Sequence, residues 1–150
     1  MDAYALPTPV LGRGLSLRGL RRGINVLFVL AVATINAFLD AIGNATAYSE
    51  PGLYVKLHIG APGAAGTANP AANTTRVLAS FATAAAGSMT TDTDTLWATV
   101  PNAETYSHIS LWDASTAGNF VGEQALTASK TVAVGDNFRI PAGSLTISGT

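Results

Sequence analysis

The stretch Leu53–Ile59, which reads LYVKLHI, decides the fold class of this chain. Apolar and polar side chains alternate along it, and a period of two is typical of a β-strand with one buried face. The following Gly60–Gly63 segment, with two glycines and a proline, ends the strand. We therefore predict a half-buried strand with a core face and an outer face. The core face carries Leu53, Val55, Leu57 and Ile59, and the outer face carries Tyr54, Lys56 and His58.

Further strand-like segments follow, each bounded by turn residues. They are Arg76–Phe81, Thr90–Val100, Tyr106–Trp112, Phe120–Leu126, Lys130–Val134, Phe138–Ile140 and Ser144–Ile147. An Ala–Gly–Asn sequence within Asp113–Asn119 is a hairpin-type turn. Strands do not alternate with helices, so a doubly wound fold is not expected. The sequence predicts a mainly β fold, a small antiparallel β-sandwich (jelly-roll-like) over residues 45–150, preceded by one apolar α-helix and an extended N-terminal arm.

An apolar segment, Ile24–Ile42, precedes the strands and allows three interpretations. Basic residues before an apolar run are typical of a signal peptide. A transmembrane helix needs about 20 apolar residues, and Asn36 and Asp40 interrupt the run. The third interpretation is a helix that protein covers on several sides. We expect this buried helix, over residues 24–44, with Gly43 or Asn44 at its C-terminal end.

Residues 1–23 are rich in glycine and proline, which argues against a helix there. Residues 1–22 hold four of the eight basic residues of the chain and one of its nine acidic residues. We expect an extended arm that neighbouring subunits hold in place; the alternative is an arm that packs along its own domain. The predicted subunit interface consists of Arg13, Arg18, Arg21 and Arg22 in the arm and Val26, Phe28 and Leu30 in the helix.

The composition favours contacts with other proteins over a free monomer. Charged residues make up 11% of the 150, against about 25% in ordinary soluble domains. Hydrophobic residues make up 48%, but aromatic residues only 7%. Exposed apolar surface of this kind marks interfaces, although an alanine-biased genome would leave the same composition. The net charge of −1 is too small to attract nucleic acid or a membrane surface by long-range electrostatics.

The residue types of known active sites do not combine into a recognisable site. There are two histidines and no cysteine, which excludes disulfides and thiolate chemistry. No nucleophile-elbow motif is present, and Asp92–Asp94 lacks the glycine and distal glutamate of a calcium loop. We expect no catalytic, cofactor-binding or metal site, and hence no enzyme. Two aromatic residues, Tyr106 and Trp112, are candidates for surface recognition, with Trp97 completing a sugar-binding platform.

Several motifs in the body resemble a family of small tail-associated proteins of tailed bacteriophages, of the minor tail or tail-fibre-like kind. The composition is similar to that of a phage with an actinobacterial host. The motifs are Leu53–Gly63, Ala65–Asn69, His108–Ala114, Ala117–Gly122 and Ala125–Ile147, after a helix and the Thr–Ala–Tyr of Thr46–Tyr48. The resemblance covers about residues 34–148. It departs at residues 1–23, because members of that family start close to the helix.

The resemblance implies a virion structural protein, most simply a minor tail protein that assembles through its N-terminal arm and helix. A capsid decoration (cement) protein and a host-surface glycan-binding module are the alternatives. The expected partners are other virion proteins and copies of the same chain, with no direct nucleic acid, no membrane in the assembled particle and no cofactor. The expected location is the virion, in the tail or on the capsid surface.

Overall fold

A computed structural model describes residues 29–45, residue 47 and residues 52–148 of the chain. One helix and nine strands lie in this part. In chain order they are β1 (Val29–Leu30), α1 (Val32–Gly43), β2 (Leu53–His58), β3 (Val77–Ala79), β4 (Ser88–Thr90), β5 (Thr95–Trp97), β6 (Glu104–Trp112), β7 (Phe120–Val132), β8 (Phe138–Ile140) and β9 (Thr146–Ser148).

The strands form one large and two small antiparallel sheets. The large sheet has the order β1-β7-β6-β2-β3. Its centre is the pairing of β6 with β2, which places Ile109 opposite Leu57 and Leu111 opposite Val55. The small sheets pair β4 with β9 and β5 with β8. The predicted fold class is confirmed, since the architecture is mainly β, antiparallel, and consistent with a small β-sandwich after one helix.

The core lies between the large sheet and β5–β8. Leu57 and Val55 are fully buried, as are Leu111 and Tyr106. The ring of Phe138 packs against Trp97 with centroids 5.7 Å apart, and against Tyr106 edge-on at 4.9 Å. Such tilted and edge-to-face pairs are the favoured geometries of aromatic rings. A few aromatic side chains therefore fill the centre of a core that is otherwise aliphatic.

The quoted strand is confirmed as β2, with two corrections. Ile59 lies beyond the strand and is 49% exposed, because its amide donates to the Asn69 carbonyl in the following loop. His58 was expected on an outer face, and it is fully buried. The loop folds back over that face through a bridge between His58 and Pro70. The outer face of β2 is thus covered by the chain's own loop at this point.

The helix differs from the prediction in its start and in its surroundings. Val29 and Leu30 form a strand against β7, so α1 begins at Val32 and not at residue 24. The first residues of the predicted helix, 24–28, lie outside the described residues. The described part of the chain does not cover the helix on several sides, because Ile42 is 85% exposed and Val32 is 71% exposed, so cover by other protein stays a prediction.

Two strand boundaries also differ from the prediction. Thr90–Val100 is divided between β4 and β5, because Asp94 holds a turn there by accepting the Ala142 amide and an Arg139 guanidinium N–H. Phe120–Leu126 and the first three residues of Lys130–Val134 instead join into the 13-residue β7, which ends at Val132. Its pairing with β6 is irregular between the Ala125 and Lys130 positions, where a β-bulge lies.

Candidate subunit interface

Helix α1 is attached to the sandwich at its N-terminal end. The Ala31 amide donates to the Val121 carbonyl at 2.8 Å, and the Thr34 hydroxyl donates to the same oxygen at 3.4 Å. Thr34 is buried by this contact, and Leu30 packs against the core. These residues hold one face of the helix on the edge of the large sheet.

A second face of α1 carries a stripe of aliphatic side chains exposed to solvent. The exposed fractions are 71% for Val32, 42% for Ile35, 60% for Leu39 and 85% for Ile42. Their spacing of three, four and three residues keeps them on one side of a helix with about 3.6 residues per turn. We call these four residues the α1 stripe.

Polar side chains border the α1 stripe on one side of the helix, and Phe38, which is 41% exposed, lies between the stripe and the attached face at Thr34. Asn36 and Asp40 lie on the polar side, and Asn44 donates its side-chain N–H to the Asp40 carboxylate at 2.8 Å. A surface helix normally has one apolar face toward its own core and polar residues elsewhere. The α1 stripe is an additional apolar face that the described part of the chain leaves open to solvent.

Of the interface residues expected from the sequence, only Leu30 lies within the described residues. Leu30 lies in β1 and packs against the chain's own core, which corrects its assignment to a helix. Arg13, Arg18, Arg21, Arg22, Val26 and Phe28 lie outside the described residues. Sequence reasoning did not single out the α1 stripe, because it treated the helix as apolar nearly all round. The 3-4-3 spacing of its aliphatic residues is the signal that identifies the stripe.

Tyr106 does not lie on the surface, which corrects its candidacy for recognition. Its side chain is fully buried, and burial, followed by the nearby Glu104, raises the pKa of Tyr106 to about 12. A bulge between Tyr106 and His108 reverses the alternation of side chains along β6. Tyr106 therefore faces the core, although simple alternation would place it with His108 and Trp112.

Trp112 is also covered, and only 7% of its surface is exposed. The Arg76 guanidinium lies 3.7 Å from the centroid of the ring, in a cation–π contact. The Phe120 ring packs beside the indole at 5.6 Å, and the indole N–H donates to the Ser110 hydroxyl. Because Trp97 is buried too, these three aromatic residues do not form an exposed sugar-binding platform.

His58 is the centre of a buried hydrogen-bond chain. Its Nδ1 lies 2.8 Å from the Ala68 carbonyl oxygen, and its Nε2 lies 2.8 Å from the Ser110 hydroxyl. A carbonyl only accepts, so Nδ1 carries the proton and Nε2 accepts from Ser110. Burial, the largest effect on this ring, lowers the pKa of His58. The neutral imidazole thus ties the loop after β2 to the outer face of the large sheet.

The comparison with protein families decides the class of the chain. The model of the family described as podophage GP4 fiber I protein gp80 matches residues 30–148. The chain belongs to this family. No curated protein matches the sequence. As a member of the gp80 fibre family, the chain is a tail-fibre-like structural protein of a phage virion.

The match to the gp80 fibre family extends from β1 to β9. It includes α1 and the α1 stripe, and the arginines of the arm lie before it. The resemblance to tail-associated phage proteins is confirmed at this level. α1 has 12 residues, and no helix in the described ranges has the length and apolar run that a membrane crossing requires.

The buried Ser110–His58 pair does not conflict with a structural role for a gp80-family protein. A serine beside a histidine is the usual arrangement of a nucleophile and its base. Here both side chains are fully buried, and the Ser110 oxygen already accepts the Trp112 N–H. Among the residues that the structure describes, no group of three His, Cys, Asp or Glu side chains could hold a metal ion.

Proposed function

We propose that this chain is a minor tail protein, a subunit of the tail-fibre region of a phage, which assembles with copies of itself and with other virion proteins through its helix and N-terminal arm. The observation that carries the proposal is the α1 stripe. Four large aliphatic side chains on a 12-residue helix face solvent in the single chain. An interface with another subunit gives these side chains an apolar surrounding.

The energetics favour a protein partner for the stripe. Fully burying one such aliphatic side chain stabilises a protein by about 1.5–3 kcal/mol. A helix that leaves four such side chains in water is stabilised when it associates with another apolar surface. The 3-4-3 spacing is that of the seam between helices in a coiled coil. A second copy of α1 offers the same spacing, so the helices of neighbouring subunits are matched partners.

The charge distribution supports a role for the arm in the same assembly. Residues 1–22 hold Arg13, Arg18, Arg21 and Arg22 against Asp2 alone, which leaves four basic and eight acidic residues in the rest of the chain. A basic arm and an acidic body on neighbouring subunits attract each other. The four arginines of the arm are therefore assigned to contacts between subunits. Val26, in the apolar segment after the arm, is assigned to the same interface as a prediction from the sequence.

The stripe is tested by Leu39→Asp, with Asn36→Asp as the matched control. Both substitutions add one negative charge to an exposed position of α1, but only Leu39 lies on the stripe. We expect both variants to fold, and only Leu39→Asp to fail to enter phage particles and to lose self-association in light scattering. Normal incorporation of Leu39→Asp would contradict the role of the stripe.

The arm is tested by deleting residues 1–22. Strands β1–β9 do not involve these residues, so we expect a folded domain that no longer incorporates into particles. Normal incorporation of the truncated chain would remove the arm from the proposal and leave the α1 stripe standing. The density around the subunit in intact particles would separate a tail position, with three- or six-fold symmetry, from decoration of the capsid.

A further inference from the structure

Two positively charged side chains lie next to each other on the outer face of the large sheet. The pairing of β2 with β3 places Val55 opposite Val77. One position further along, Lys56 lies opposite Arg76, the residue that precedes β3. Burial, followed by the charge of Arg76, lowers the pKa of Lys56. Like charges directly opposite each other in a sheet are destabilising, so a negative group beside this pair would stabilise it.

The described part of the chain does not supply that negative group. None of its carboxylates forms an ion pair with Lys56 or Arg76. The charge of Asp113 acts on Arg76, but both carboxylate oxygens of Asp113 already accept N–H groups of Asn119. The ammonium group of Lys56 has no hydrogen-bond partner within the described ranges. The pair is therefore open to a further negative group.

Asp92 is a matching negative group at the opposite end of β3. It lies in the turn between β4 and β5, and its exposed carboxylate accepts no hydrogen bond within the described ranges. Its backbone N–H donates to the Ser80 carbonyl at 3.1 Å, just beyond the end of β3. Ser80 is four residues from Arg76, which is about 13 Å along an extended chain. The cations and Asp92 are therefore too far apart to pair within one chain.

Leu78 lies midway between these two charged ends of β3 and is 55% exposed. Since side chains alternate along a strand, Leu78 shares the outer face with Arg76 and Ser80. A two-fold axis that crosses β3 at Leu78 reverses the strand in the second copy. Asp92 of that copy then faces Arg76 of the first, and the same contact repeats by symmetry, as in any two-fold interface. The surface around Leu78 is therefore complementary to itself in charge.

We propose that two copies of this chain meet around Leu78, with Asp92 of each copy paired with Lys56 and Arg76 of the other. Charge complementarity identifies the second copy as the partner, because the same chain carries the unpaired cations and the unpaired carboxylate on either side of Leu78. Exposed ion pairs stabilise little by themselves. The contact therefore forms between copies that the α1 stripe already holds together, and in this it rests on the proposed function. It adds a charged interface to the apolar one on α1.

Zero-length cross-linking tests this contact, because Lys56 and Lys130 are the two lysines of the chain. A carbodiimide activates a carboxylate, and a lysine amine in contact with it displaces the resulting urea to form an amide. Unlabelled and nitrogen-15-labelled full-length chains are incubated together, cross-linked and digested, and mass spectrometry identifies the joined peptides. We expect a link between Asp92 and Lys56 that joins peptides of different isotope content, and hence two chains. Exposed Lys130 on β7 is the internal control and should not be linked to Asp92.

Asp92→Asn removes the carboxylate, keeps the size of the side chain, and should lose the link to Lys56. In about 1 M salt, where the Debye length is about 3 Å, the link should also be lost, while light scattering still detects association through the α1 stripe. A link within one chain, equal linking of Lys130, a link that salt leaves unchanged, or no link in a self-associating protein would overturn the inference and leave the proposed function standing. A chain that stays monomeric in light scattering would overturn both.

Discussion

The indole N–H of Trp112 donates to the hydroxyl of Ser110 at 2.8 Å, although both residues lie on the same strand. Ser110 in turn donates to Nε2 of His58, whose Nδ1–H reaches the Ala68 carbonyl. Four residues from β6, β2 and the loop after β2 thus form one directional chain of hydrogen bonds. Trp112 and His58 both use the hydroxyl of Ser110 as their hydrogen-bond partner.

Replacing Ser110 with alanine is expected to destabilise the fold strongly. It leaves His58 Nε2 and Trp112 Nε1 without their shared partner, and each buried polar group left unsatisfied costs about 1–3 kcal/mol. We expect the free energy of unfolding in urea to fall by about 2–4 kcal/mol. Ser107→Ala is the control, since that hydroxyl bonds half-buried His108. Equal losses of unfolding free energy in the two variants would contradict the importance of this series of hydrogen bonds.

The stability of the protein is expected to fall in mild acid because of His58. Its folded pKa lies below the ordinary value of 6.5, so the unfolded chain binds a proton first as the pH falls. Stability is therefore complete above the unfolded pKa and declines from about pH 6.5 downward. Burial lowers the pKa of His58 most, and the charge of Lys56 lowers it further. The hydrogen bond to the Ala68 carbonyl and the charge of Glu123 raise the pKa.

Denaturant unfolding at a series of pH values checks this expectation. The decline below about pH 6.5 should be steeper in the native protein than in His58→Asn, which has no titrating ring there. His108→Asn keeps His58 and should retain the steep decline. A pH profile that His58→Asn leaves unchanged would show that His58 does not control it.

Leu57→Asp is expected to unfold the domain, and Leu96→Asp is expected to leave it folded. Leu57 is fully buried opposite Ile109 in the centre of the large sheet, whereas Leu96 is 48% exposed on β5. An unpaired buried carboxylate, together with the lost packing of about 2–5 kcal/mol, approaches the whole stability of a small domain. Circular dichroism during heating distinguishes the two. A cooperative transition in Leu57→Asp would refute the assignment of the core.

Gly66 and Gly135 provide a matched test of steric contact. Both have positive φ, +69° and +87°, a conformation that costs an L side chain about 1–2 kcal/mol. A Cβ on Gly66 would overlap the Phe120 ring, while a Cβ on Gly135 meets nothing within 4 Å. We expect Gly66→Ala to lower the unfolding temperature clearly more than Gly135→Ala. Equal shifts would mean that the Phe120 ring moves aside at no cost.

The strands were predictable from the sequence wherever one face of the sheet is buried and the pairing is regular. The alternation in β2 identified Val55 and Leu57 as core, and the structure has both fully buried. Tyr106 was assigned to the wrong face because the pairing of β6 with β7 shifts its register between Tyr106 and His108, and local alternation contains no information about that shift. His58 was misplaced because the covering loop is held by contacts at Ala68 and Pro70.

The N-terminal region shows a different limit of sequence reasoning. An unbroken apolar run is compatible with a helix and with a buried strand, so Val29 and Leu30 were assigned to the helix although they pair with β7. The helix itself was anticipated, but its exposed stripe was not. Which apolar face meets the chain's own core depends on where the helix is attached, and that is set by the distant Val121 carbonyl.

The two small sheets also determine when the domain can be completed during synthesis. β4 and β5 lie in the middle of the chain, but their partners, β9 and β8, follow about 40–60 residues later. While the ribosome is still making Phe138–Ser148, both of the earlier strands have open edges, which are sites of aggregation. A truncated translation product that ends before Phe138 has no strand to close them. Closure of both small sheets therefore depends on β8 and β9, the last two strands that the structure describes.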